Sequence, residues 1–177
     1  MKIAITGHTS GLGKELYDLF DNAIGMSRSN GYDIAHDIDK VINESMDCDV
    51  FINNAYCGYH QIDLLNKLFD KWKDTDKLIV NIGSCATDTI RTFQHPYSIH
   101  KLSLEHTCKQ LNNIQESTCR VMCIKPSWID TPAVSSVCVS KMCPAELAIF
   151  IKTLIDQRFN FHISEISFLP TKHQYEI

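Results

Sequence analysis

The sequence has no C-x-x-C spacing, no apolar run long enough to cross a bilayer, no cluster of basic residues and no glycine after Gly83. Each absence removes a class of function. The eight cysteines, Cys48, Cys57, Cys85, Cys108, Cys119, Cys123, Cys138 and Cys143, are dispersed, so they read as separate thiols and not as a zinc site or a disulfide framework. The eight histidines are dispersed in the same way, and no metal is expected. Seventeen Lys and Arg are scattered against 21 Asp and Glu, for a net charge of -4, which makes nucleic acid a poor partner. Without a spanning run there is no membrane helix to propose. A strand-like segment follows Lys2 at once, where a signal peptide would carry a longer apolar core, so the chain reads as cytoplasmic.

What is present is a regular alternation. At 177 residues and 44% apolar composition the chain suits one domain spanning 1–177 with a real core. Short apolar runs read as strands: "KIAIT", "NAIGMS", "CDVFINNA", "KLIVNIGS", "CRVMCIKP" and "FHISEISFL". Between them lie amphipathic stretches that read as helices: "GKELYDLF", "IDKVINESM", "IDLLNKLFDKWKD", "PYSIHKLSLEHTCKQLNN" and "PAELAIFIKTLID". Strand–helix alternation predicts an α/β fold, a single Rossmann-type, doubly wound, mainly parallel sheet with helices on both faces. Ligands of such sheets sit beyond the carboxyl ends of the strands, which directs attention to Thr6 to Gly13, Ser27 and Arg28, Asn53 to Tyr56, Gly83 and Ser84, and Pro126 to Thr131.

The first of these, "TGHTSGLG", follows a strand and opens a helix. Gly7 would make a tight turn, Gly11 would let the backbone approach a pyrophosphate, and Gly13 would let helix and strand pack closely. Thr9, Ser10 and Leu12 complete the loop as candidate cofactor contacts. The spacing T-G-x-x-x-G-x-G resembles that of the short-chain dehydrogenase/reductase family, in its compact carbonyl-reducing branch. The epimerase-like branch spaces its glycines differently, so a sugar-nucleotide epimerase or dehydratase is disfavoured.

Other positions extend the resemblance from Lys2 to about Leu147. Tyr97 and Lys101 in "PYSIHK" stand four apart, on one helix face, where an ammonium favours the phenolate of a neighbouring tyrosine. Ser84 precedes Tyr97 by thirteen residues, the family's separation of catalytic Ser and Tyr. The resemblance implies that Tyr97 is the acid or base, that Lys101 lowers its pKa and bonds the cofactor ribose, and that Ser84 orients the substrate oxygen. It further implies that "NNA", with Asn54 and Ala55, lines the adenosine side. "KPSWIDTP" would bring Pro126, Ile129 and Thr131 to the nicotinamide, and Asp37 with Ile38 would meet the adenine. At the end of the second strand Ser27 replaces the acid of an NAD enzyme and Arg28 follows, which favours NADP (NADPH) over NAD.

The expected function is hydride transfer between NADP and a small carbonyl or secondary alcohol. The alternative is a non-catalytic NADP-binding sensor or scaffold, favoured by two departures: the segment between Ala55 and Leu78 is short and has no matching relay Asn, and the lid after Thr131 is reduced. Tyr56 in place of the Gly of N-N-A-G bears on loop geometry and not on the fold. The Tyr–Lys helix carries Ile99, Leu102, Leu104 and Leu111, which predicts a homodimer or homotetramer paired through it.

Overall fold

A computed structural model describes residues 1–157 and 160–171. Six strands form one sheet: β1 (Ile3–Thr6), β2 (Ala23–Met26), β3 (Val50–Asn53), β4 (Leu78–Ile82), β5 (Arg120–Pro126) and β6 (Glu165–Phe168). Their order is β2-β1-β3-β4-β5-β6, and every neighbouring pair is parallel. Five helices connect them: α1 (Gly11–Leu19), α2 (Ile38–Ser45), α3 (His60–Trp72), α4 (Pro96–Asn112) and α5 (Pro144–Asp156). This is the expected α/β doubly wound architecture, with a sheet that is wholly parallel among the described strands.

Because side chains alternate across a strand, each strand feeds two cores. Ile5, Ile52, Val80 and Met122 are in register across β1, β3, β4 and β5 and pack under Leu12 and Leu16 of α1 and Leu147 and Ile151 of α5. On the opposite face Ala4, Phe51, Ile79 and Val121 meet α2, α3 and α4. Trp72 at the end of α3 is fully buried there, edge-on to Phe51 with centroids 6.5 Å apart. Pro96 and Pro144 each occupy the first turn of a helix, where the missing N–H costs nothing.

A second short region lies between β2 and β3, which are joined only by a short 3-10 turn (Arg28–Asn30) and α2, while α3 after Ala55 spans thirteen residues. A dinucleotide fold of order 3-2-1-4-5-6 places one more strand outside the second. Here β2 is the edge, and Asn30 Nδ2 closes part of it by donating to the Gly25 carbonyl at 2.8 Å.

The chain runs from β1 out to β2 and then back across β1 to β3, so the connections reverse direction between β1 and β3. A crevice opens there at the carboxyl ends of the strands. No helix among the described residues is long and apolar enough to cross a membrane. Of the four apolar residues on α4 expected to mediate pairing, Leu104 is buried and Leu111 is half-buried against the core. Only Ile99 and Leu102 are exposed, at 53% and 48%.

Candidate active site

The glycine turn is built by two strand ends stitched together. Thr6 Oγ1 accepts the backbone N–H groups of Asn54 and Ala55, each at 3.0 Å, and Asn54 Nδ2 donates back to the Thr6 carbonyl at 3.0 Å. Gly11 has φ +53°, a left-handed conformation that glycine adopts without strain. At Gly13 a Cβ would lie 2.2 Å from the Gly7 carbonyl oxygen and 2.4 Å from Asn54 Nδ2, so no side chain fits. Ser10 caps α1 without a side-chain hydrogen bond, and the first turn holds no acid. The opening N–H groups of α1 are therefore left to an anion in the cleft.

That cleft encloses about 1610 Å³. Pockets for single small molecules span roughly 300–1,000 Å³, so it has room for a dinucleotide and a second molecule. Of the residues expected to bind cofactor or act in catalysis, all but two line it: Gly7, Thr9 to Gly13, Ser27, Arg28, Asn54, Ala55, Ser84, Tyr97, Lys101, Pro126, Ile129 and Thr131. The exceptions are Asp37 and Ile38. Asp37 is the N-cap of α2 and accepts the Asp33 N–H at 3.2 Å, while Ile38 packs against the core. An identical dipeptide four residues earlier, Asp33-Ile34, takes the place at the cleft. The tight left-handed turn at Gly31 (φ +83°) brings the chain back early and shifts the frame. Arg28 stands on the 3-10 turn that Ser27 and Asn30 cap, and it has no ion-pair partner among the described residues.

At the other end of the cleft, Ser84 ends the β4 segment, its Oγ accepting the Ala86 N–H at 3.1 Å. Tyr97 stands in the first turn of α4 and lines the cleft with Ser84. Lys101, one turn on, is buried at 3% exposure. Its Nζ donates to Gln61 Oε1 at 2.8 Å and to the Ile82 carbonyl at 2.7 Å, and lies 5.7 Å from the Tyr97 ring centroid and 5.3 Å from that of Tyr56. Tyr56, which replaces the expected glycine, meets Tyr97 edge-on at 4.9 Å and bonds His100 Nδ1 at 2.9 Å.

The electrostatics differ from the expectation that Lys101 lowers the Tyr97 pKa. Burial pushes the Tyr97 phenol up, more than the nearby Ser84 hydroxyl pulls it down. Burial also lowers Lys101 to about 8, since no carboxylate lies beside its ammonium among the described residues. The spacing of Tyr97 and Lys101 gives adjacency and says nothing about desolvation.

Gln61 and Asn81 were not read as site residues from the sequence. Gln61 Nε2 donates to the Asn53 carbonyl at 2.8 Å, and Asn53 Nδ2 donates to the Gln61 carbonyl and to Asn81 Oδ1, both at 2.9 Å. The signal was a polar residue on an apolar stripe, at 61 beside Leu64, Leu65 and Leu68, and an asparagine inside each of two buried strands. A second polar cluster lies behind Ser84. Lys125, buried, contacts Glu105 at 3.0 Å and Asp88 at 2.6 Å, and Glu105 also accepts from Thr87 Oγ1 at 2.9 Å. This fastens the turn after Ser84 to both α4 and β5.

No family model and no curated protein sequence matches the chain. Solved structures do. A short-chain dehydrogenase from Burkholderia cenocepacia in complex with NADP superposes with a TM-score of 0.76 at 14% identity, over 94% of this chain and 89% of that one. An alcohol dehydrogenase from Thermococcus sibiricus complexed with 5-hydroxy-NADP gives 0.75 at 17%, over 95% and 96%. A 3-ketoacyl-(acyl-carrier-protein) reductase from Brucella melitensis complexed with NADH gives 0.75 at 17%, over 94% and 96%. The chain has the short-chain dehydrogenase/reductase fold. In that fold's terms, the glycine turn, the strand-end asparagine and the Ser84–Tyr97–Lys101 group lie along one continuous crevice.

The Lys101 environment sets a pH dependence of stability. The folded state releases this proton near 8 and the unfolded chain near 10.5, so between those values the unfolded state binds more protons and stability rises with pH. Relative to Lys101→Met, the wild-type protein should gain about 3 kcal/mol across that window. Urea unfolding of both proteins at pH 7.5 and 10.5 reads the difference. A difference independent of pH would contradict it.

Proposed function

We propose that the chain is an NADP-dependent oxidoreductase acting on a small carbonyl compound or secondary alcohol. The observation that carries this reading is that Ser84, Tyr97 and the Lys101 ammonium, 5.7 Å from the Tyr97 ring centroid, line the same cleft as the glycine turn. The glycine cradle and the open N–H groups of α1 fit a pyrophosphate. Arg28, unpaired and flanked by Ser27 and Ser29, fits a ribose 2'-phosphate, and Asp33 with Ile34 takes the adenine position assigned from the sequence to Asp37 and Ile38. Asn54 and Ala55 line the adenosine side, while Pro126, Ile129 and Thr131 line the nicotinamide side. The NADP and NADH complexes of the similar structures support a nicotinamide dinucleotide, which when bound would supply the hydride.

The chain's own residues handle the oxygen and the proton. A carbonyl oxygen between the Ser84 and Tyr97 hydroxyls accepts a hydrogen bond from each, which fixes the carbon in position. The raised pKa of Tyr97 keeps the phenol protonated at neutral pH, ready to donate to the developing alkoxide. The Lys101 ammonium then stabilises the phenolate left behind. As Lys101 titrates near 8 this support fades, so reduction should slow as the pH rises through that value. The eight free thiols fit a reducing compartment and support a cytoplasmic location.

Tyr97→Phe keeps the ring and its packing but removes the proton, and should lower the reduction rate by about 10²–10⁴-fold with NADPH affinity nearly intact. The readout is loss of NADPH absorbance over a panel of aldehydes, ketones and quinones. A protein active on none of them yet binding NADPH would favour the sensor reading, and an unchanged Tyr97→Phe rate would overturn the tyrosine mechanism. Arg28→Ala should remove most of a preference for NADPH over NADH in a binding titration. Equal affinities in the wild-type protein would refute that assignment.

Exposed Ile99 and Leu102 on α4 support a homodimer or homotetramer paired through that helix. Sedimentation at micromolar concentration should show an assembly, and a monomer throughout would contradict it.

A further inference from the structure

We propose that Gln61 is the positioning residue for Lys101, holding the ammonium under the Tyr97 ring and leaving one of its three N–H bonds for a ligand in the cleft. This rests on the oxidoreductase reading for its catalytic consequence, though not for its geometry. An ammonium has three donors and no acceptor. Two are committed, to Gln61 Oε1 at 2.8 Å and the Ile82 carbonyl at 2.7 Å. The remaining donor is the only one free to reach a ribose hydroxyl.

Gln61 is itself fixed. It is 1% exposed, and its Nε2 donates to the Asn53 carbonyl at 2.8 Å and to the Ile82 carbonyl at 3.3 Å. Its backbone carbonyl accepts from Asn53 Nδ2, which also bonds Asn81, the residue opposite on β4. An amide anchored at both N–H bonds can present its oxygen in only one direction, toward Nζ. A carboxylate there would pair with the lysine and cancel its field at Tyr97. A neutral acceptor orients the charge without cancelling it. The ionisable groups facing Lys101 from the elements around it are Tyr97 and Cys108 on α4, Cys123 on β5, and Tyr56 after β3. No carboxylate is among them, so Gln61 is the main side-chain acceptor that fixes the ammonium.

The test is NMR of the full chain without cofactor, with labelled lysine side chains and the Lys101 signal assigned by its loss in Lys101→Arg. In the wild-type protein the Gln61 side-chain amide should shift with the same midpoint as Lys101, near 8. Gln61→Glu, which supplies a charge, should raise the Lys101 midpoint by about one pH unit or more, and Gln61→Met, which removes the acceptor, should lower it. With a carbonyl substrate and NADPH, the alkaline limb of the rate profile should move in the same direction as the midpoint in each variant, and kcat should fall at least about tenfold in Gln61→Met while KM for NADPH changes less. A Gln61 amide signal that ignores the Lys101 titration would overturn the proposal even if neither variant folds. So would midpoints that move without any movement of the rate profile. If no carbonyl compound is reduced, the oxidoreductase reading fails by itself, and the NMR titration still decides whether Gln61 holds Lys101.

Discussion

A buried ammonium with no carboxylate beside it among the described residues is the constraint around which this site is arranged. Lys101 reaches the cleft because α4 starts at Pro96 and carries Tyr97 and Lys101 one turn apart, both lining it. Taking a charge out of water costs several kcal/mol unless hydrogen bonds compensate. Here the compensation is two oxygens, one from an amide and one from the β4 backbone, and the faces of two tyrosines. The charge is thus held beside the Tyr97 ring and is not spent on an ion pair among the described residues.

The rest of the fold serves that arrangement. β3 and β4 are adjacent, so Asn53 and Asn81 stand opposite each other in the sheet and extend the polar network inward from Gln61. The Lys125–Glu105 contact holds the turn after Ser84 against α4, so Ser84 and Tyr97 keep their relation. Burial works against the Glu105 carboxylate, but hydrogen bonds from Lys109, Lys125 and Thr87 outweigh it and hold its pKa below the usual range. On the far side of the crevice, Thr6 and Asn54 tie the glycine turn to the end of β3, so the anion cradle and the tyrosine group share one rigid sheet edge.

Much of this was legible in the sequence for physical reasons. Strands buried on both faces must be continuously apolar, so "VFIN" and "LIVNI" announce themselves, and Pro96 and Pro144 mark helix starts. The glycine turn is readable because only glycine fits at Gly13. Asp37 and Ile38 were expected at the cleft, but the loop contains two Asp-Ile dipeptides and the chain presents Asp33 and Ile34 there instead. The short connection between β2 and β3 was not noticed because a strand absent beyond β2 leaves no residue to read. Gln61 was missed because a polar residue on an apolar stripe looks like an interruption until the partner facing it is known. The direction of the Tyr97 pKa follows from burial, which spacing does not encode.

The central claim is that this crevice aligns a nicotinamide dinucleotide with Tyr97. A crystal structure of the protein with NADP tests it most directly. The account predicts the pyrophosphate on the glycine turn, the 2'-phosphate at Arg28, and the nicotinamide ring beside the Tyr97 and Ser84 hydroxyls with one Lys101 N–H on the ribose. A dinucleotide bound elsewhere, or one whose nicotinamide lies at the Arg28 end of the cleft, would contradict it.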